Sequence, residues 1–85
     1  MIKLLLLGTD PCHLCEKAKR EIESYQVYCN IPFSFEYHDI IDNDEWYESY
    51  QLEIPLLLHE PSNNRLAYPF GFNEVLHYLQ SLPSK

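Results

Sequence analysis

The stretch Ile2-Lys3-Leu4-Leu5-Leu6-Leu7-Gly8-Thr9-Asp10-Pro11-Cys12-His13-Leu14-Cys15 decides the fold. Its first half, Ile2 to Leu7, is a short apolar run that stops at turn residues, which reads as a central strand buried on both faces. The run falls short of the ~7–15 apolar residues of a signal-peptide core, and nothing in the chain approaches the ~18 of a membrane span. Beyond the loop, Cys15, Ala18, Ile22, Tyr25 and Cys29 recur at spacings of three and four, with charged residues between them. That is the apolar stripe of an amphipathic helix. Pro11 suits the first turn of this helix, and Pro32 lies just past its end.

Further along, Phe33, Phe35 and Tyr37 alternate with Ser34, Glu36 and His38, the period of a strand. A strand, a helix and a second strand in this order imply a parallel pair joined by a right-handed crossover. Asp39 to Asp44 is polar and rich in capping residues, and predicts a short helix over about 43–51 that buries Trp46, Tyr47 and Tyr50. Ile54-Pro55-Leu56-Leu57-Leu58 reads as a third strand opening at a proline, a position strands tolerate. Glu60 to Asn64 is a hairpin turn, and Leu66-Ala67-Tyr68 is the return strand. Asn73 is placed to cap a last helix with Val75, Leu76, Leu79 and Leu82 on its apolar face. The order β-α-β-α-β-β-α gives an α/β fold: a four-stranded mixed sheet with helices on both faces.

Cys12-His13-Leu14-Cys15 is a C-x-x-C at the junction of the first strand and first helix. A helix N-terminus presents unpaired N–H groups and a partial positive charge, both of which favour a thiolate. Residues three apart share a helical face, close enough for a disulfide. Cys12 then takes the role of exposed attacking thiolate. Cys15, turned toward Ala18 and Ile22, is the shielded thiol that resolves the mixed disulfide. His13 beside the nucleophile is a candidate for tuning it, against the alternative of a solvated loop histidine. Asp10 and Glu16 oppose that tuning by placing negative charge nearby. Two other readings of the pair stay open, a structural zinc site and an inert core pair. Zinc needs further ligands, and Cys29, His38, His59 and His77 are scattered without matching spacing. Metal is therefore not expected. Cys29 lies ~21 Å from Cys15 along a continuous helix, out of bridging range.

At 85 residues the chain is the size of one domain. Such a chain buries only ~60–65% of its unfolded surface, so the seven Tyr, four Phe and one Trp are needed to fill its core. Thirteen acidic residues against six basic ones give a net charge of −7. That charge repels polyanions and argues against a nucleic-acid partner, and no basic amphipathic helix points to a membrane surface. Reading Ile2 to Leu7 as a strand rather than a signal-peptide core gives a cytoplasmic location as the expectation, and an odd number of cysteines, three, also argues against a disulfide framework. The Asp42-Asn43-Asp44 triplet lacks the oxygen ligand and glycine that a calcium loop needs at Trp46 and Tyr47.

With these pieces in order, the chain resembles the glutaredoxin-like members of the thioredoxin superfamily, most closely small bacterial proteins with no assigned substrate. The resemblance rests on Cys12-His13-Leu14-Cys15-Glu16-Lys17-Ala18, the acidic stretch Asp39 to Asp44, Tyr50 leading to Ile54-Pro55, and Tyr68-Pro69-Phe70 before the last helix. It implies a thioredoxin-like fold and thiol–disulfide oxidoreductase activity on a protein or small-thiol disulfide; a protein dithiol is the reductant expected from the departures described next. It also implies a cis bond at Ile54-Pro55 facing the cysteines, and a substrate-binding role for Ile54, Pro55 and Phe70. An added substrate strand would pair with the Ile54 backbone.

Glutathione is the small thiol such a family suggests, yet the residues here depart from a glutathione site. Pro69 lacks an amide donor, Phe70 is bulky, and Asp10 and Glu53 bring negative charge toward an anionic ligand. No cofactor is expected, and the chain is expected to be a monomer. The competing reading is a binding module of the same fold whose cis-proline face docks a partner with little redox role.

Overall fold

The computed structural model describes residues 1–9 and 12–83. Its elements run β1 (Ile2–Gly8), α1 (His13–Tyr28), β2 (Phe33–Asp39), a 3-10 turn (Ile40–Asp42), α2 (Asp44–Tyr50), β3 (Leu56–His59), β4 (Asn64–Ala67) and α3 (Phe72–Ser81). The strands form one mixed sheet in the order β2-β1-β3-β4. β1 runs parallel to β2, with Ile2 level with Phe33 and Gly8 with Asp39. It runs antiparallel to β3, with Leu7 level with Leu56, and β3 pairs antiparallel with β4.

Period-two alternation sorts β1 between two cores. Leu4 and Leu6 join Ala18 and Ile22 of α1, Val75, Tyr78 and Leu79 of α3, and Phe33, Leu57 and Phe70. Leu7 joins Ile40, Tyr50, Leu56 and Leu58 on the opposite face, with Leu5 and Trp46 packed at its margin. Helices therefore cover both faces of the sheet, α1 and α3 on one and α2 on the other. This two-sided burial is why Leu4 to Leu7 are apolar without alternation.

The structure adjusts several expectations. The last helix is not capped by Asn73: its N-cap is Gly71, whose N–H donates to Glu74 Oε1 at 2.8 Å. Phe72 is drawn into the first turn because its ring packs edge-on against Tyr25, centroids 5.7 Å apart. Tyr78 joins the core of that helix, and its hydroxyl donates to Asn64 O at 3.0 Å, which lets a polar tip be buried. The return strand spans Asn64–Ala67, two residues earlier than the pattern suggested, since its register is fixed by Leu57 opposite Leu66. On α2, Tyr50 is buried, Trp46 half-buried and Tyr47 exposed: Tyr50 sits in the middle of the arc the three share, and Tyr47, about 60° round from it, falls on the solvent side. Pro11 lies outside the described residues.

Candidate active site

The site is built at the end of β1. Antiparallel pairing of Leu7 with Leu56, continued one step, sets Pro55 level with Gly8, so the Ile54-Pro55 segment meets the sheet beside the end of β1. The Ile54-Pro55 peptide bond is cis, and so is Tyr68-Pro69. Thr9 follows the end of β1. It lines a cavity of about 280 Å³ with Ile40, Ile41, Tyr47, Gln51 and Ile54. It also lines a second cavity of about 330 Å³ with Cys15, Glu16, Lys19, Tyr37 and Asp39.

Cys12 is the N-cap of α1. It is extended, with φ −156° and ψ 112°, and its Sγ accepts the Cys15 N–H at 3.2 Å. A capping atom must accept one of the free N–H groups of the first turn, so the position and the sulfur's contact with the helix terminus are one geometric fact. Cys12 is half-buried, whereas Cys15 is fully buried beneath it, and both are free thiols. Burial pushes the Cys15 thiol up from its ordinary 9.0 to about 11. Its hydrogen bond with Cys12 adds to the rise, a backbone hydrogen bond from Thr9 opposes it, and the charges of Cys12 and Asp39 add smaller rises.

His13 is the first residue of α1 and is exposed, as is Leu14. Ile54 is half-buried and Pro55 buried, and the Ile54 N–H donates to Tyr50 O at 3.2 Å. Phe70 does not face the groove. It is 5% exposed, within the core under α1 and α3, and packed edge-on against Tyr68. Glu53 is not a free charge: its Oε1 accepts from Arg65 Nε at 2.9 Å. Arg65 also lies 5.4 Å from the centre of the Tyr50 ring. Asp10 lies outside the described residues. Cys29 is the C-cap of α1, with its N–H donating to Tyr25 O. Among the described residues no three His, Cys, Asp or Glu side chains gather as a metal site, and no helix is long and apolar enough to cross a membrane.

Sequence reasoning passed over the residues behind Cys15. A Cβ on Gly8 would stand 2.8 Å from Tyr37 Oη and 2.9 Å from Cys15 Sγ, so the missing side chain is what admits both. Tyr37 Oη donates to Thr9 O at 3.0 Å, and Lys19 Nζ stands 5.9 Å from the centre of the Tyr37 ring. The signal was present in the alternation of β2, which puts Tyr37 and Asp39 on one face. It became legible only with the register that sets Asp39 beside Gly8.

Comparison with known proteins agrees with this geometry. The family model described as a Glutaredoxin-like domain (DUF836) matches residues 3–80. The crystal structure of the protein XcR50 from X. campestris is 26% identical, with a TM-score of 0.70 over 94% of this chain and 99% of that one. Protein Ne2328 from Nitrosomonas europaea, at 22% identity, has a TM-score of 0.70 over 89% of this chain and 88% of its own. Thioredoxin 1 from Thermosipho africanus, at 20% identity, shares the fold with a TM-score of 0.61 over 92% of this chain and 90% of its own. No curated protein matches. With a four-stranded mixed sheet of thioredoxin-like fold, a Cys12–Cys15 pair at the first helix N-terminus and a family match over nearly its whole length, the chain belongs to the glutaredoxin-like (DUF836) family.

Proposed function

We propose that the protein is a thiol–disulfide oxidoreductase working through Cys12 and Cys15. The observation that carries this reading is the division between the two sulfurs. Cys12 Sγ is half-exposed and held by the helix N-terminus, and Cys15 Sγ is fully buried beneath it with its thiol held protonated. The Cys12 thiolate attacks one sulfur of a substrate disulfide. One substrate thiolate leaves and takes a proton from water. The Cys15 thiol then gives up its proton and attacks Cys12 Sγ, and the second substrate thiolate leaves. The substrate gains two electrons and the protein ends as the Cys12–Cys15 disulfide.

A protein disulfide in an extended segment suits the surroundings. The Ile54 N–H is occupied by Tyr50, which leaves its carbonyl to receive a substrate N–H. The adjoining cavity of Ile40, Ile41, Tyr47 and Ile54 offers apolar walls to a neighbouring side chain. We further read the protein as a cytoplasmic monomer recycled by a protein dithiol, with His13 adjusting the reactivity of Cys12. The exposure of Ile41 and Tyr47 beside the site also fits a docking module with little redox role. One experiment separates the two. Cys15→Ser should accumulate a mixed disulfide through Cys12 with its substrate, releasable by dithiothreitol. Cys12→Ser should accumulate none. Equal, reductant-insensitive capture by both variants would favour the docking module.

A further inference from the structure

The short helix α2 and the turn between β3 and β4 border a cavity of about 350 Å³ that shares no wall residue with the two cavities beside Thr9. Its size falls within the range of small-molecule sites. Glu45, Trp46 and Tyr50 line it from α2, and Leu58, Glu60 and Asn63 from the hairpin. Asn63 fixes the turn that carries Glu60. Its φ is 62°, in the left-handed region that asparagine tolerates, and its N–H donates to His59 O at 2.8 Å.

Tyr50 supplies the observation that points to a ligand. The residue is 8% exposed, and its hydroxyl has no hydrogen-bond partner among the described residues. No fully buried side-chain oxygen or nitrogen among them is left unpaired. The Tyr50 hydroxyl therefore opens onto accessible space, and this cavity is a space that Tyr50 lines. The charges around it identify the ligand's chemistry. Glu45 and Glu60 are exposed carboxylates, one on each element, and neither is in an ion pair among the described residues. The nearby cation, Arg65, lies over the Tyr50 ring and is already paired with Glu53. Half-buried Trp46 and buried Leu58 add apolar wall. A metal ion does not suit the site, since no three ligating side chains gather among the described residues. An anion would be repelled, and a neutral molecule would leave both carboxylates unmatched.

We propose that this cavity binds a linear aliphatic diamine. Its two ammonium groups pair with Glu45 and Glu60, one of them also donates to Tyr50 Oη, and its carbon stem lies against Trp46 and Leu58. The inference goes beyond the oxidoreductase reading and does not depend on it.

Trp46 is the single tryptophan, so its emission reports on the site directly. The test titrates the whole reduced protein with putrescine, the four-carbon diamine, at low salt and neutral pH. Emission should change saturably, with half-saturation at about 1 mM or below. Butylamine, which has the same stem and one charge, should bind about fivefold more weakly. Glu45→Gln and Glu60→Gln should each weaken putrescine about two- to fivefold, and the double variant should lose saturation. Both positions are exposed, so these variants should keep the parent's circular dichroism. Tyr50→Phe keeps the ring, removes only the hydroxyl and should weaken binding about threefold; if it does not fold, the glutamine variants decide. Four results would each overturn the proposal. One is no saturable change up to about 10 mM. Another is equal binding of butylamine, and a third is full affinity in the double variant. The fourth is the same emission change with magnesium chloride at matched ionic strength, which would mean counter-ion screening alone.

Discussion

At the scale of single residues, Gly8 carries more of the site than its position at a strand end suggests. Replacing a strand glycine with alanine, where the backbone accepts it, stabilises by about 0.4–1 kcal/mol through the unfolded chain. Gly8 has no positive φ, so backbone strain does not oppose that gain. Crowding does. A new Cβ 2.8 Å from Tyr37 Oη and 2.9 Å from Cys15 Sγ is far inside ordinary contact distances of about 3.5–4.0 Å. Overpacking of a tight site costs about 1–3 kcal/mol, which outweighs the entropic gain. Gly8→Ala should therefore lower the urea midpoint of the reduced protein, with a net loss of about 1–2 kcal/mol. An unchanged midpoint would mean that Cys15 and Tyr37 move aside freely and that the wall behind the thiol is not rigid.

At the scale of elements, α1 begins on the thiol proposed as the nucleophile. The Cys12 sulfur caps the helix and is the proposed reactant, and substitution can separate the two. Serine is among the preferred capping residues and alanine is not, with a difference of about 0.5–2 kcal/mol. Cys12→Ser should hold the stability of the reduced protein while abolishing disulfide reduction. Cys12→Ala should lose about 1 kcal/mol in addition to the activity. Thermal unfolding of the two reduced variants, measured beside the parent, checks this. A serine variant as unstable as the alanine one would show that the cap contributes nothing. The contrast with α3 is instructive. There a glycine caps, and Glu74 reaches back to its N–H from the third position, so no reactive group is spent on the helix start.

At the scale of the whole molecule, the charge of −7 and the arrangement around the groove bear on glutathione. Two of the sequence arguments against it change form in three dimensions: Glu53 is paired with Arg65, and Phe70 lies in the core. What stays is Pro69, which cannot donate an amide to a carboxylate, in a molecule whose net charge repels an anionic peptide. A missing hydrogen bond to a charged group costs roughly 1.5–3 kcal/mol, or about one to two powers of ten in affinity. Reduced glutathione should bind weakly and recycle the oxidised pair poorly. In an NMR titration, saturable shifts at low-millimolar concentration or below, centred on Cys12 and Ile54, would contradict this.

The sequence by itself determined the order of elements and the place of the cysteine pair. Those signals are local: the two-sided apolar run of β1, the period of two in β2, the stripe on α1, and a C-x-x-C set where strand turns to helix. Locality also explains the misplacements. Asn73 is a good capping type, but the packing of Phe72 on Tyr25 started α3 earlier. Phe70 followed a groove-lining position in the family pattern, and the packing of the sheet against α1 and α3 turned it inward. Only the tertiary structure decided what stands behind Cys15. Tyr37 and Asp39 are more than twenty residues from it in sequence, and the parallel register of β1 with β2 is what sets them beside Gly8 and the buried thiol. Register across a crossover is fixed by the packing of the whole sheet rather than by neighbours in the chain, so no local pattern could announce it.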